Sequence, residues 1–178
     1  MEARAVTAGT EDAQEVERLL EAAFPPYERP PFSFLTTQAQ REEVSLLAYR
    51  DEGLFCGFAF MIEDARLAYV LFLAVGEGVR SKGYGARMLA DIEPVLEGAP
   101  NVVQRQRRRD FYLRNGFAPT GIANCFEGDV YEVLAKGPGF ESDRFLALIN
   151  ELPEGEDKTL APLEQAVPAY AERLLAAR

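Results

Sequence analysis

Apolar residues run without interruption from 67 to 75, LAYVLFLAV, a stretch rich in β-formers and far short of the ~20 residues a membrane span needs. This predicts a buried central strand. Two more apolar runs, 44–49 and 54–62, precede it, with Asp51-Glu52-Gly53 between them and Glu63-Asp64-Ala65 before the central strand. The three read as an antiparallel meander. Further back, 3–8 reads as a first strand. Thr10 or Asp12 reads as the cap of a helix whose apolar positions Val16, Leu19, Leu20 and Ala23 recur at helical spacing. FPPYERPPF at 24–32 stops that helix, because the prolines lack backbone donors and bias their predecessors toward extended shapes. A short helix over 37–43 is expected next. After the central strand the pattern predicts a helix over 86–92, a short strand over 94–97, a second helix over 101–115, and a hairpin of 118–126 and 130–135 around Glu127-Gly128-Asp129. Beyond Lys136 it predicts a helix over 142–152, a polar linker over 153–158 and an amphipathic helix over 160–177.

Between the central strand and the helix at 86 lie Gly76-Glu77-Gly78 and then Arg80-Ser81-Lys82-Gly83-Tyr84-Gly85. Glycines let the backbone turn tightly and approach a ligand. The first turn of a helix carries unpaired N–H groups and partial positive charge, to which Arg80, Lys82 and Arg87 add whole charges, so this junction reads as an anion site. Two phosphate-binding patterns fail on the letters. A P-loop would continue from Gly83 through Lys and Ser or Thr, where Tyr84 and Gly85 stand. A dinucleotide fingerprint begun at Gly76 or Gly83 meets Ser81 or Met88 where its third glycine belongs.

At 178 residues the chain is sized for one domain with a sizeable core. The N-terminal MEARAVTAGTEDAQ has neither a basic nor an apolar signal region, and the reading is a cytoplasmic protein with no membrane association. Cys56 and Cys125 each fall in an apolar strand pattern and read as core thiols rather than a disulfide. The absence of histidine excludes Ser-His and Cys-His nucleophile pairs and His-based zinc sites, and no metal is expected. Net charge is −10, yet from 80 to 115 eight basic residues face four acids. The acidic remainder argues against a nucleic-acid binder and for a cationic or amine partner.

The string Arg80-x-x-Gly83-x-Gly85 after a strand ending in Leu73-Ala74-Val75 resembles the acetyl-coenzyme A signature of the GCN5-related N-acetyltransferases, the GNAT family. About 30 residues on, Arg109-Asp110-Phe111-Tyr112-Leu113-Arg114-Asn115-Gly116-Phe117 is similar to that family's helix-to-strand block ending in Tyr-x-x-x-Gly-Phe. Gly116 is the expected C-cap of a helix carrying Tyr112, and Phe117 starts the next strand. The resemblance implies an α/β fold, a mixed, mostly antiparallel central sheet flanked by helices. It implies a transferase domain at 1–137 followed by a C-terminal helical extension at 138–178.

The implied activity is direct transfer of an acetyl group from acetyl-CoA to a primary amine, on a small molecule or a peptide. Leu73, Ala74 and Val75 would hold the cofactor along the strand, with a backbone N–H near Val75 polarising the thioester carbonyl. Arg80, Ser81, Lys82, Gly83, Tyr84 and Gly85 would bind the pyrophosphate mainly through backbone N–H, with Arg87 an optional charge partner. Tyr112, protonated at neutral pH with an ordinary pKa of about 10, would donate to the departing thiolate. It also reads as a core tyrosine. Glu28 and Glu63 or Asp64 are the candidates for the base, with Tyr69 acting through water as an alternative; each carboxylate also reads as an ordinary solvated side chain. The proline and aromatic loop at 24–32 is either a connector or a wall of the acceptor pocket. Arg105 stands where the family often has Asn, and could meet a cofactor phosphate instead. Arg107, Arg108 and Arg109 read as a solvated helix face before an RNA patch. A non-catalytic acyl-CoA sensing module is the alternative function, a partner-binding adaptor a third; oligomeric state is left open, a homodimer included.

Overall fold

The computed structural model of the protein describes residues 1–26, 28–63, 68–92, 95–97, 109–126, 129–137, 139–151 and 158–166. Backbone contacts divide the chain into two compact units, Met1–Glu93 and Pro94–Arg178. Among the described residues, no helix is long and apolar enough to cross a membrane.

In the first unit the elements run β1 (Glu2–Ala5), α1 (Glu11–Ala23), α2 (Phe32–Gln38), β2 (Val44–Asp51), β3 (Leu54–Glu63), β4 (Ala68–Val75) and α3 (Tyr84–Asp91). The four strands pair antiparallel in sequence order, as the meander pattern predicts. Because side chains alternate across a strand, the register sorts them onto two faces. Leu46, Phe60 and Phe72 fall in line on one face, beside Ala48, Phe58 and Ala74. Phe24, just past α1, meets Phe72 edge-on with ring centroids 5.1 Å apart, so α1 covers this face. Its buried stripe Ala13, Val16, Leu19 and Leu20 provides the apolar contact.

Thr10 starts α1 as the sequence predicts: its hydroxyl accepts from the Ala13 N–H at 3.2 Å and donates to the Thr7 carbonyl at 2.7 Å. Arg50 then fastens the helix to β2. Its guanidinium donates to Asp12 at 2.7 Å, to Glu15, and to the Gly53 carbonyl at 2.8 Å, while only 8% of the residue stays exposed.

The second helix differs from expectation. It spans Phe32–Gln38 rather than 37–43, beginning directly after Pro31, whose φ of −55° already suits a helix start. Prolines that stop one helix here launch another.

On the opposite face Tyr49, Gly57 and Val75 lie in line across β2, β3 and β4. A Cβ on Gly57 would stand 2.2 Å from the Ala74 carbonyl oxygen and 3.2 Å from Met88 Sδ of α3. Glycine is therefore required chiefly by the neighbouring β4 backbone, and Met88 of α3 packs over the space that the missing side chain leaves. Tyr49 is fully buried on the same face, and its hydroxyl has no hydrogen-bond partner among the described residues. Burial, and then the nearby Asp91 carboxylate, push its pKa up.

The second unit contains β5 (Val95–Glu97), α4 (described over 109–114), β6 (Ala118–Phe126), β7 (Asp129–Ala135), α5 (Ser142–Ile149) and β8 (Thr159–Pro162). Its strands are ordered β5-β7-β6-β8, each pair antiparallel. The β6–β7 hairpin follows the sequence pattern, with an irregularity at 120–122. There Thr120 Oγ accepts from the Ile122 N–H and donates to the Val133 carbonyl.

The helix expected over 160–177 is corrected at its start: Leu160, Ala161 and Pro162 are strand, paired with Asn124, Ala123 and Ile122, and helix is described only over 163–166. Asn150, just past α5, accepts from the Lys158 N–H at 2.8 Å and donates to the Lys158 carbonyl at 3.0 Å. That bracket delivers the chain to the edge of β6, whose ladder outweighs local helical periodicity. The rest of the predicted 101–115 helix before 109, most of the 153–158 linker and the chain after 166 lie outside the described residues.

Two stability predictions follow from these contacts. Gly57→Ala is expected to lower unfolding free energy by about 2 kcal/mol or more, as overpacking against immovable backbone does, measured by chemical denaturation. Arg50→Leu should cost about 2–3 kcal/mol by the same measurement, because it leaves Asp12 and Glu15 without their cation.

Candidate functional site

The end of β4 supplies the first part of the site. The Gly76 N–H donates to the Cys56 carbonyl at 2.9 Å, which makes Cys56 and Gly76 a hydrogen-bonded pair of the antiparallel ladder. Bonded and non-bonded pairs alternate, so at Gly57 and Val75 the backbone groups of Val75 point away from β3, and those of Leu73 do likewise. Ala74, between them, belongs to the β3 ladder. Val75 thus keeps its N–H out of the β3 pairing, while its carbonyl accepts from Arg80 Nε at 3.2 Å.

A 3₁₀ turn, Glu77–Val79, carries the chain from β4 into the glycine segment. Ser81 and Gly83 both take left-handed backbone, φ 64° and 83°. Gly83 is the N-cap of α3 and offers no side chain to its open amides. Among the described residues, the six backbone N–H groups from Ser81 to Ala86 have no hydrogen-bond acceptor; the next, of Arg87, returns to the Gly83 carbonyl at 3.1 Å. Arg80, Ser81, Lys82 and Gly83 are exposed and Gly85 is buried. A row of donors beside Arg80 and Lys82 is what a diphosphate needs.

The side chains of Tyr84 and Arg87 are engaged elsewhere. Tyr84 Oη lies 3.0 Å from Asp51 Oδ2, and Arg87 reaches both Asp51 oxygens at 2.9 and 3.3 Å. The Arg87 guanidinium, followed by the Met1 amino group and the Tyr84 hydroxyl, holds the Asp51 carboxyl well below the usual carboxylate range. Asp51 was legible only as a turn residue, because its partners stand 33 and 36 positions away. Gly57 was hidden in the same way inside an apolar run.

Tyr112 in α4 is buried, its ring edge-on to Phe111 and Phe117, each at 5.1 Å. The Phe117 N–H returns to the Tyr112 carbonyl and the Gly116 N–H to the Leu113 carbonyl, with Gly116 at φ 87°. This is a Schellman ending, complete with its apolar contact between Tyr112 and Phe117. Arg109 pairs with Glu132 at 2.8 Å.

The candidate bases are not gathered together. Glu63, at the end of β3, accepts a 2.5 Å hydrogen bond from Ser45 Oγ and falls by register on the face that α3 covers. Glu28 lies in the loop joining α1 and α2, with both carboxylate oxygens shielded from solvent. Tyr69 is buried, on the face of Ile62, its partner on β3. Pro26, Arg29, Pro30, Pro31 and Phe32 of the proline loop line, with Glu17, Leu20 and Glu21 of α1, a pocket of about 370 Å³. Arg29 spans it to Glu21 at 3.4 Å. Asp64, Arg105, Arg107 and Arg108 lie outside the described residues.

Comparisons with known proteins bear on the fold and the family. The fold is similar to a GNAT-family acetyltransferase of Bacteroides thetaiotaomicron, at 23% identity over 84% of this chain and 93% of that one, TM-score 0.66. It is also similar to the aminoglycoside 6'-N-acetyltransferase of Enterococcus faecium, at 14% identity over 79% and 100%, TM-score 0.56. A third solved structure, a GNAT acetyltransferase of Elizabethkingia anophelis with acetyl-CoA bound, matches at 18% identity over 76% and 96%, TM-score 0.51. Sequence comparison with curated proteins finds no match. Residues 13–117, more than half of the chain and both motif blocks, match the model of the Acetyltransferase (GNAT) family, and the chain belongs to that family.

Proposed function

We propose that the protein transfers the acetyl group of acetyl-CoA directly to a primary amine of a small molecule or peptide. The observation that carries this reading is the run of unspent amides from Ser81 to Ala86, placed after a strand whose Val75 N–H faces away from β3. The donor brings an activated thioester. The amides of the turn, with Arg80 and Lys82, bind its diphosphate, and Leu73 and Val75 offer backbone donors and acceptors along its length. Arg105 is assigned to a cofactor phosphate.

For the chemistry, the Val75 N–H stabilises the negative charge that develops on the carbonyl oxygen. The amine nitrogen forms its bond to the carbonyl carbon as the carbon–sulfur bond breaks. Tyr112 protonates the departing sulfur, and a carboxylate accepts the amine proton. Of the carboxylate candidates we favour Glu28, whose neighbours Pro26 and Arg29 line a pocket together with Glu17, Glu21 and Phe32. Glu63 is the less favoured, being bound to Ser45. We assign residues 1–137 to the transferase domain, the remainder to an extension. We place the reaction in the cytoplasm, where the free thiols Cys56 and Cys125 would persist.

The test is calorimetric titration with acetyl-CoA followed by thiol release across a panel of amines. Binding with release from at least one amine supports the reading; binding with no release across the panel replaces it with the sensing module. Gly83→Glu adds a side chain at φ 83° and a negative charge, and should weaken binding at least about tenfold. Tyr112→Phe keeps the ring contacts and the Schellman hydrogen bonds, so the expected result is an unchanged melting temperature and acetyl-CoA affinity with kcat lowered about 100-fold. In pH–rate profiles, Glu28→Gln should abolish the acidic limb while Glu63→Gln retains it.

A further inference from the structure

We propose that Asp51 is a positioning residue for the donor site: from the β2–β3 turn it fixes the first turn of α3 so that the turn's amides stay aimed at the diphosphate. The inference rests on the acetyltransferase reading and adds to it a residue outside both motif blocks.

A helix start is ordinarily steadied by a Ser, Thr, Asp or Asn side chain at the N-cap, which satisfies one or two of the open amides. That solution is closed here. A capping side chain would occupy the donors the ligand requires, and Gly83 has none to offer. The helix is held from outside instead. Asp51 accepts from Tyr84 at the first helical position and from Arg87 one turn later, while the Arg87 guanidinium lies 5.1 Å from the Tyr84 ring centroid. The carboxylate thus grips the side of the first turn and leaves its end bare.

The anchor itself is well set. Asp51 closes β2 opposite Leu54, and the turn between them is fixed by left-handed backbone at Glu52 and Gly53. The neighbouring Arg50 is buried against α1 and donates to the Gly53 carbonyl.

Asp51 also occupies Arg87, the cation of the first turn, so that charge serves the protein rather than the ligand. Two opposite outcomes are therefore open to experiment. If Asp51 positions the turn, removing it weakens donor binding; if it chiefly competes with the diphosphate, removal frees Arg87 and tightens binding. The bidentate grip, and the absence of a side-chain cap among the described residues, favour the first. The carboxyl is held below its ordinary range, so its contribution is lost only as pH falls through the lowered value.

The experiment compares wild type, Asp51→Ala and the near-isosteric Asp51→Asn with two acetyl donors: acetyl-CoA and acetylpantetheine, which lacks the diphosphate. Expected for Asp51→Ala is a loss of about tenfold in CoA affinity by titration, with a matching rise in KM for acetyl-CoA, the scale of one charge-assisted hydrogen bond. kcat, and kcat/KM with acetylpantetheine, should hold. Asp51→Asn, which can still accept from Tyr84, should lie between. Unchanged or tighter CoA binding in both variants overturns the inference and leaves the acetyltransferase reading standing. An equal loss with both donors also overturns it, marking Asp51 as merely structural. Wild type that fails to bind CoA overturns both.

Discussion

A helix N-terminus that must stay open to a ligand cannot also be capped in the ordinary way, and much of the first unit can be understood from that constraint. Six amides in succession lack an internal acceptor among the described residues. In a segment without function, side chains or tighter turns would satisfy some of them. Here the backbone reaches the helix through left-handed residues at Ser81 and Gly83, and its steadying contacts come from the flank.

The constraint extends into the sheet. At Gly57 the Ala74 carbonyl of β4 leaves no room for a side chain, and Met88 of α3 packs over the gap. The same ladder position sets the direction of the Val75 backbone, because Gly57 and Val75 form a non-hydrogen-bonded pair. Close helix approach and an outward amide are thus two results of one register. A slip of one residue would reverse the Val75 amide and bury it in the β3 ladder. The opposite face, packed with Phe58, Phe60, Phe72 and α1, is what makes such a slip costly.

How legible this was depends on the range of the interactions concerned. The central strand, the meander and the β6–β7 hairpin could be read because alternation and turn residues are local signals. So could the α4 ending: Gly116 with Phe117 one residue on specifies a Schellman motif within six positions, and the Tyr112 ring contact comes with it. Pro31 shows a signal read on one side only: the prolines stop one helix, as the sequence predicts, while their role in starting the next goes unread. Residues 160–162 were misread because Leu160 and Leu163 suit a helix, whereas their conformation is decided by the open edge of β6 far back in the chain. Asp51 and Gly57 left no local trace at all. Their importance lies in what folds onto them, an aspartate at a turn and a small residue in an apolar run being ordinary in isolation.

The pairing of β8 with β6 bears on the order in which the protein can be completed. During synthesis the β6–β7 hairpin emerges more than twenty residues before Thr159 to Pro162. Until those four arrive, the outer backbone of β6 from Ile122 to Cys125 is an unprotected edge, the kind of surface on which nascent chains join one another. The Asn150 bracket around Lys158 fixes where the strand begins relative to the end of α5. The C-terminal segment therefore acts as a closing strip, and a ribosome that stalled between residues 135 and 159 would leave a chain with its donor motifs already made and a sticky edge exposed.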